Sequence, residues 1–326
     1  MVKTSTGPYE LTGKAGTAED IGADRQLFRR LLGDPLAATG LVLVTVLCLA
    51  ALFAPLLAPH DPTAVDATQR LAPASWAHPL GTDQLGRDTL SRLLFGARWS
   101  LGTAALATVI VMAIGIVVGM VAGYYGGHLD AVLMWLVDVL LAFPSLVLYL
   151  AIVGTLGPGF ENLFLALVSI GWVDYARVVR GLVLSIKERG YVRASRALGA
   201  RDSRLMVRHI LPNVVPPVVV LASLQIGTLI LALAALGFFG LGVQPPTPEW
   251  GSMINQSRLY LQSTPALMIW PGLAISLSVM GFNLLGDGLR DVLDPRLGES
   301  ERPRRAARRS QRSSRPPDGV PADVTS

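Results

Sequence analysis

Few side chains in this sequence have the types and spacing that catalysis or metal binding requires. An acid, Asp138, lies within a long apolar run, and a charge inside a membrane is costly and marks a functional candidate by default. The alternative is a structural acid near the inner end of its span, paired with a basic residue such as Arg177 or Arg180. The four histidines are scattered along the sequence, and the single cysteine, Cys48, cannot form an internal disulfide. We therefore expect no metal site, no bound cofactor and no catalytic residue.

Two near matches to catalytic motifs lack residues that the chemistry needs. Residues 7–15 approach a phosphate-binding loop, but one residue too many separates Gly7 from Gly13. Ala15 also occupies the position of the Ser or Thr that ligates magnesium. The run that ends at Asp287 lacks the first glycine of the Gly-x-Gly-Asp pattern of intramembrane aspartyl proteases, and the zinc motif HExxH is absent. The sequence therefore argues against a nucleotide-hydrolysing chain and against an intramembrane enzyme.

The most distinctive charged stretch is residues 187–212, KERGYVRASRALGARDSRLMVRHILP, with seven Lys or Arg residues against two acids. Its pattern predicts two short amphipathic helices. Gly199 would cap the end of the first helix. Asp202 or Ser203 would cap the start of the second, which would stop before Pro212. Such a pair outside the bilayer needs a surface that covers its apolar side, whereas the alternative is a solvated basic loop that only fixes topology.

The composition is that of an integral membrane protein. The 326 residues are 51% hydrophobic and 16% charged, whereas about a quarter of the residues in a soluble domain are charged. Six segments are apolar and long enough to cross about 30 Å of hydrocarbon. They are residues 36–57, 100–123, 131–153, 163–179, 214–242 and 267–285. The predicted fold class is an all-α integral membrane protein with six transmembrane helices.

Basic residues set the predicted orientation. With the N-terminus inside, the inner segments hold 23 of the 28 Lys and Arg residues and the outer segments hold 5, as the positive-inside rule requires. The chain is therefore predicted to be N-in and C-in, with residues 187–212 in the cytoplasm. Residues 1–35 would form a partly disordered cytoplasmic segment. Residues 287–326 would form a basic, mostly disordered cytoplasmic tail that can lie on anionic membrane lipid.

Two further features concern the second span and the segment before it. The span holds three glycines in four-residue steps, Gly115, Gly119 and Gly123. This spacing lets a neighbouring helix pack closely. The preceding external segment, 58–99, contains HPLGTDQLGRDTLSRLLFGARWS, in which Asp88 or Thr89 could cap a short amphipathic helix at the membrane surface. The alternative is an elbow that merely guides the chain back into the membrane, and the two interpretations are compatible.

Residues 187–213 resemble the cytoplasmic signature loop of the permease subunits of bacterial binding-protein-dependent ABC importers. The sequence is most similar to the C-type subunit of the dipeptide/oligopeptide branch, over most of residues 36–297. The other stretches that carry the resemblance are HPLGTDQLGRDTLSRLLFGAR, AGYYGGHLD, DVLLAFPS, YARVVRG, FFGLGVQPPTPEWG and FNLLGDGLRDVLDPR. The resemblance implies the type I ABC importer permease fold in the bacterial inner membrane. Its core would be residues 100–286, including an ATPase-coupling loop at 181–213.

The resemblance also implies the partners of this chain. A homologous B-type permease would complete the pore as a heterodimer, and an extracytoplasmic binding protein would deliver the substrate. Two cytoplasmic ATPase subunits would use ATP and Mg²⁺ and move the coupling loop as a lever, with no role for nucleic acid. The residues implied in ATPase docking are Tyr191, Val192, Arg193, Ala194, Ser195, Ala197, Leu198, Gly199 and Ala200.

The coupling loop departs from the family pattern at two positions. That pattern is Glu-Ala-Ala followed three residues later by Gly, and Ala194 and Gly199 match it. Arg193 replaces the acid, and Ser195 replaces an alanine. Because the family's acid can pair with a basic residue of the ATPase, the contact that Arg193 makes must differ from the usual one.

The implied function is that of a transport subunit for dipeptides or oligopeptides, and relatives that carry nickel, glutathione or other small solutes are the alternative. A stand-alone secondary transporter is a more remote alternative. It would bring coupling acids at the membrane midplane and often inverted repeats. This sequence offers one candidate acid, Asp138, and no convincing repeat.

Overall fold

The computed structural model describes residues 33–293, and the regular elements in this range are helices. They are α1 (Pro35–Leu52), α2 (Ala54–Leu57), α3 (Thr89–Tyr125), α4 (Gly127–Leu141), α5 (Ser145–Leu156), α6 (Phe160–Gly171), α7 (Val173–Ile186), α8 (Gly190–Ala197), α9 (Asp202–Leu205), α10 (Leu211–Phe238), α11 (Trp250–Ser257) and α12 (Ala266–Leu293). Most of the predicted terminal segments 1–35 and 287–326 lies outside the described residues. The first residues of the predicted tail belong to α12.

Within residues 33–293, five helical segments are long and apolar enough to cross a membrane. They are Pro35–Leu52, Thr89–Tyr125, Phe160–Ile186, Asp202–Phe238 and Ala266–Val292. A sixth span exists if the bent pair α4 and α5 is counted as one. The prediction of an all-α membrane protein is confirmed, and each predicted span coincides with one of these segments.

The predicted third span, residues 131–153, is not one straight helix. Its two halves, α4 and α5, are bent by 87° at a short break. Pro144 opens α5 with an extended backbone, φ −58° and ψ 126°. Proline lacks the N–H that a continuing helix needs, and its ring disfavours the helical conformation at the preceding residue, Phe143. Hydropathy alone predicted a continuous span because the apolar character does not change across the bend.

The short helix that we expected at the membrane surface is part of α3. Asp88 caps α3, because its Oδ2 accepts the backbone N–H of Ser91 at 2.7 Å. The helix then continues for 37 residues, which is about 55 Å at 1.5 Å per residue. It therefore extends well beyond about 30 Å of hydrocarbon. Thr89 to Trp99 are its first turns rather than a separate element.

The second helix of the coupling loop also continues further than we expected. It does not stop before Pro212, since α9, a π-helical turn (Met206–Ile210) and α10 form one apolar helical segment from Asp202 to Phe238. Pro212 falls in the first turn of α10, where a missing N–H is tolerated. The wider π turn interrupts the regular hydrogen-bond pattern just before this proline. The coupling loop is thus directly continuous with a membrane-spanning helix.

The core forms where α3 packs on α7 and where α12 packs on α1 and α10. The glycine series of α3 lies against α7. A Cβ added at Gly115 would lie 2.3 Å from Cβ of Tyr175, and one at Gly119 would lie 2.5 Å from the carbonyl oxygen of Ala176. A Cβ at Gly123 would lie 2.9 Å from Cβ of Val183. Only hydrogen fits at these three positions, so the series sets the distance between α3 and α7.

Candidate functional site

The first helix of the coupling loop, α8, has one side fixed in the chain and one side free. Val192 is buried in the main hydrophobic core together with Leu205 and Ile210. Tyr191 is exposed, and Leu198 is 89% exposed at the end of the helix. Val192 was predicted to contact an ATPase, and the structure instead places it as the anchor of α8. It points inward because α8 packs on α9 and needs an apolar residue on that side.

Small and basic residues form the rest of the free side of α8. Ala194 and Ala197 are exposed, and Ser195 is half-buried. Their short side chains leave the helix backbone open to close approach by another surface. Arg193 is also exposed, so its charge faces solvent at the position where the family has an acid. Ala200, half-buried, follows the turn at the end of the helix.

Gly199 ends α8 in the left-handed conformation. Its φ is +81°, its N–H donates to the carbonyl of Arg196 at 3.0 Å, and the N–H of Ala200 donates to the carbonyl of Ser195 at 3.1 Å. This pair of bonds is the Schellman motif, in which glycine is favoured because it has no Cβ. The cap lies where the sequence predicts it. It turns the chain sharply from α8 into α9.

Three polar contacts join the coupling loop to the end of α3. The Lys187 Nζ donates to the carbonyl oxygen of Gly123 at 2.8 Å, and the Tyr124 hydroxyl donates to Asp202 Oδ1 at 2.5 Å. The Arg196 guanidinium lies over the Tyr124 ring, 5.1 Å from its centre. Asp202 was expected as a helix cap, but Arg201 occupies the capping position and makes no side-chain bond there. The Asp202 carboxylate binds Tyr124 instead, and the loop is thereby attached to α3.

Asp138 forms an ion pair at the protein surface. Its Oδ1 lies 2.5 Å from Arg177 Nη2, and both side chains are more than half exposed. Arg180, the other predicted partner, binds Asp130 through Nη2 at 2.6 Å. This arrangement favours the structural interpretation of Asp138, because its charge is neutralised by a neighbouring span of the same chain.

Buried charges link the external segment to α11, and sequence reasoning missed them. Asp83 Oδ2 accepts from Arg87 Nε at 2.7 Å and lies 3.4 Å from Arg92 Nε. Arg87 Nη2 also donates to Gln256 Oε1 of α11 at 2.9 Å. These charged side chains are nearly inaccessible to solvent. The pattern GTDQLGRDTLSR was read as an amphipathic surface element, but its charges point inward and pair with each other.

Glu249 is a second buried charge at the outer end. It caps α11, since Oε1 accepts the Gly251 N–H at 2.7 Å and Oε2 accepts the Ser252 N–H at 2.8 Å. Ser100 of α3 adds a hydroxyl contact at 3.3 Å. Burial raises the pKa of the Glu249 carboxyl from 4.5 to about 7. Glu is not among the residues favoured at helix N-caps, so the sequence carried no signal for this cap.

The fold and the site define a membrane transport subunit. Helical spans carry a capped helix that is exposed at the end of the bundle predicted to be cytoplasmic, and this arrangement is suited to receiving a partner. Residues 115–299 match the family described as the binding-protein-dependent transport system inner membrane component. Residues 25–74 match the N-terminal transmembrane domain of oligopeptide transport permease C. The chain belongs to the binding-protein-dependent transport system inner membrane component family.

Individual relatives extend over most of the chain. The dipeptide transport system permease protein of Alkalihalophilus pseudofirmus is 42% identical, over 84% of this chain and 90% of the relative. The nickel transport system permease protein of Escherichia coli K12 is 45% identical, over 79% of this chain and 93% of the relative. A glutathione transport system permease protein of Pectobacterium atrosepticum is 43% identical, over 84% of this chain and 91% of the relative. These alignments cover nearly the whole of each relative.

A solved structure supports the fold. The chain is similar to a chain of the MetNI methionine ABC transporter in an inward-facing conformation, with a TM-score of 0.51 and 21% identity. The alignment covers 62% of this chain and 96% of the other. The predicted type I importer permease fold, inner-membrane location and non-catalytic transport role are therefore confirmed. Membership of this family implies ATPase and substrate-binding partners.

Proposed function

We propose that the free side of α8 is the surface on which a cytoplasmic ATPase subunit docks. The observation that carries this proposal is the two-sided character of the helix. Val192 fixes one side in the core, while Tyr191 and Leu198 expose apolar surface on the other. Apolar residues exposed together on one side of a rigid, capped helix are typical of a surface that a partner covers. The alternative, a solvated basic loop, would require neither the cap at Gly199 nor apolar residues grouped on one side of the helix.

Movement of α8 would pass into the membrane through the contacts with α3. Tyr124 and Gly123, at the end of α3, bind Asp202 and Lys187 of the coupling loop. Because the α3 glycines pack closely on α7, α3 and α7 would move together. ATP and Mg²⁺ would be used by two ATPase subunits, and this chain would hold no nucleotide. A preference of the ATPases for one position of α8 would then shift the spans between inward-open and outward-open states.

A homologous B-type permease would complete the pore. The bent pair α4 and α5 exposes large apolar side chains over most of its length, including Val132, Trp135 and Phe143. An 87° bend cannot be covered by lipid as evenly as a straight span can, so this part of the surface suits a protein partner. Asp138 lies on α4 and pairs with Arg177 of α7. A heterodimer would bury these apolar side chains.

The proposed cargo is a dipeptide or oligopeptide, which an extracytoplasmic binding protein would deliver to the outer end. Support comes from the match to oligopeptide permease C and from relatives named as dipeptide permeases. The second candidate is nickel or glutathione, because relatives named for these solutes are equally similar.

The test is ATP hydrolysis by the complete complex in proteoliposomes. The chain is assembled with its B-type permease and its ATPases, and the binding protein is added empty or loaded with a dipeptide, glutathione or Ni²⁺. We expect the dipeptide-loaded protein to stimulate hydrolysis several-fold over the empty protein. Stimulation by Ni²⁺ or glutathione alone would replace the peptide assignment. Uptake that persists without ATP but needs a proton gradient would contradict the ATP-driven mechanism itself.

A further inference from the structure

Three potential metal ligands converge where the external segment meets α3. The Nδ1 atom of His78 lies 2.9 Å from Asp88 Oδ1, and the Nδ1 atom of His60 lies 3.9 Å from the same oxygen. One ligand atom from each of these residues lies within 4.8 Å of the other two. The two imidazole rings stack with their centres 4.6 Å apart. The fold therefore brings together His60 and His78, which are scattered along the sequence.

Each of the three residues is already held in place. The other carboxylate oxygen of Asp88, Oδ2, accepts both the N–H and the hydroxyl of Ser91 at 2.7 Å. The same Ser91 Oγ accepts the backbone N–H of His60 at 3.1 Å. The backbone N–H of His78 donates to Ser75 Oγ at 3.1 Å. The helix cap of α3 thus leaves Asp88 Oδ1 free for the two imidazoles and fixes the backbone beside it.

We propose that His60, His78 and Asp88 form a binding site for a divalent transition-metal cation of the Zn²⁺ type. Zn–N and Zn–O bonds of about 2.0 to 2.2 Å in a tetrahedral arrangement place the ligand atoms about 3.3 Å apart. The observed separations of 2.9 and 3.9 Å from Asp88 Oδ1 fall on either side of this value. Each imidazole must shift by roughly half an ångström relative to Asp88 Oδ1, and the two stacked rings must turn so that both nitrogens face one cation.

The ligand types select the metal. Two imidazoles and one carboxylate suit Zn²⁺ and its neighbours, whereas Mg²⁺ and Ca²⁺ prefer oxygen ligands throughout. The side chain of His60 is 42% exposed while that of Asp88 is fully buried, so solvent reaches one side of the site. Water supplies the fourth ligand there. The cation replaces the hydrogen bond between His78 Nδ1 and Asp88 Oδ1, and His78 binds it as the neutral tautomer that carries its proton on Nε2.

The bound cation connects the start of the external segment to the first turn of α3. Residues 60 and 78 flank a loop whose regular structure is a three-residue 3-10 helix, Ala67–Gln69, and Asp88 caps α3. Metal binding therefore stabilises the outer end of the protein. The site is separate from α8, which lies at the opposite end of α3 from Asp88.

Zinc titration of the purified full-length chain in nanodiscs, without a histidine tag, tests this proposal. The wild type is expected to bind one Zn²⁺ per chain, with no competition from equimolar Mg²⁺. The His60→Ala variant is expected to bind at least about tenfold more weakly, because it loses one of three ligands. The matched control is His128→Ala, an exposed histidine on the inner side, which should bind as the wild type does. Equal affinity of His60→Ala and wild type would overturn the proposal.

A measurement on the wild type covers the case in which the His60→Ala variant folds poorly. The zinc K-edge absorption spectrum of the loaded protein is expected to show two imidazole ligands and light-atom ligands for the remainder. A spectrum without imidazole scattering, or the absence of stoichiometric zinc binding, would also overturn the proposal.

Discussion

Because α3 approaches α7 closely at Gly115, the addition of a single methyl group there should lower the stability of the protein substantially. A Cβ there would lie 2.3 Å from Cβ of Tyr175 and 2.8 Å from the carbonyl oxygen of Trp172. Carbon atoms in contact normally lie about 3.5 to 4.0 Å apart. Gly115→Ala must therefore push the two helices apart locally by more than about 1 Å. Overpacking of this kind costs about 1 to 3 kcal/mol, and more here because a backbone atom cannot rotate away.

The assay is thermal stability of the detergent-purified chain, read as the fraction that stays monodisperse in size-exclusion chromatography after heating. Gly102→Ala is the matched control, since Gly102 lies on the same helix and an added Cβ there meets nothing within 4 Å. Alanine also favours a helix by up to about 1 kcal/mol over glycine. We expect Gly115→Ala to melt at a clearly lower temperature and Gly102→Ala to match or exceed the wild type. Equal melting of Gly115→Ala and wild type would refute the packing account.

Three further predictions concern the coupling loop, the outer helix and the ion pair. Gly199→Val forces a β-branched residue into a left-handed conformation at φ +81°, at a cost of about 1 to 2 kcal/mol or more. The variant complex should hydrolyse ATP without uptake, whereas the control Gly190→Val, at the other end of α8, should keep uptake coupled to hydrolysis. Normal uptake in Gly199→Val would contradict this prediction. Because the pKa of Glu249 is raised in the folded state, the stability of the protein falls as pH rises from about 4.5 to about 7. Glu249→Gln should flatten this part of the pH–stability profile. An unchanged slope in the variant would contradict the prediction. Asp138→Asn should change the free energy of unfolding of the purified chain by less than about 1 kcal/mol, because the ion pair with Arg177 is exposed. Loss of uptake in a stable, assembled complex would instead assign Asp138 a role in transport.

The membrane spans and the cap of the coupling helix could be predicted from the sequence because each depends on local chemistry. Long apolar runs report burial in lipid wherever the partner helices lie. Gly199 marks a helix end because glycine adopts a positive φ at little cost. The small-residue spacing at Gly115 likewise indicated close packing, although the sequence does not reveal that α7 is the helix it contacts.

The features of the structure that the sequence did not predict arise from contacts between residues that are distant in sequence. The predicted span 100–123 begins after two arginines, Arg92 and Arg98, but Arg92 is buried beside Asp83 and α3 runs through both. The direction of Val192 depends on the position of α9, which the local sequence does not fix. His60 and His78 are 18 residues apart in a segment without regular helical spacing, so only the folded backbone brings them to Asp88.

The most direct test of the central claim is co-purification of the ATPase subunits with variants of the complex. Leu198 and Leu259 are both highly exposed, 89% and 82%, and lie on opposite sides of the membrane by the predicted orientation. A charge at Leu198 should prevent docking, so Leu198→Asp is expected to lose the ATPases while its permease partner is retained. Leu259→Asp is expected to keep both. Full retention of the ATPases by Leu198→Asp, with uptake coupled to ATP hydrolysis, would contradict the assignment of α8 as the docking surface.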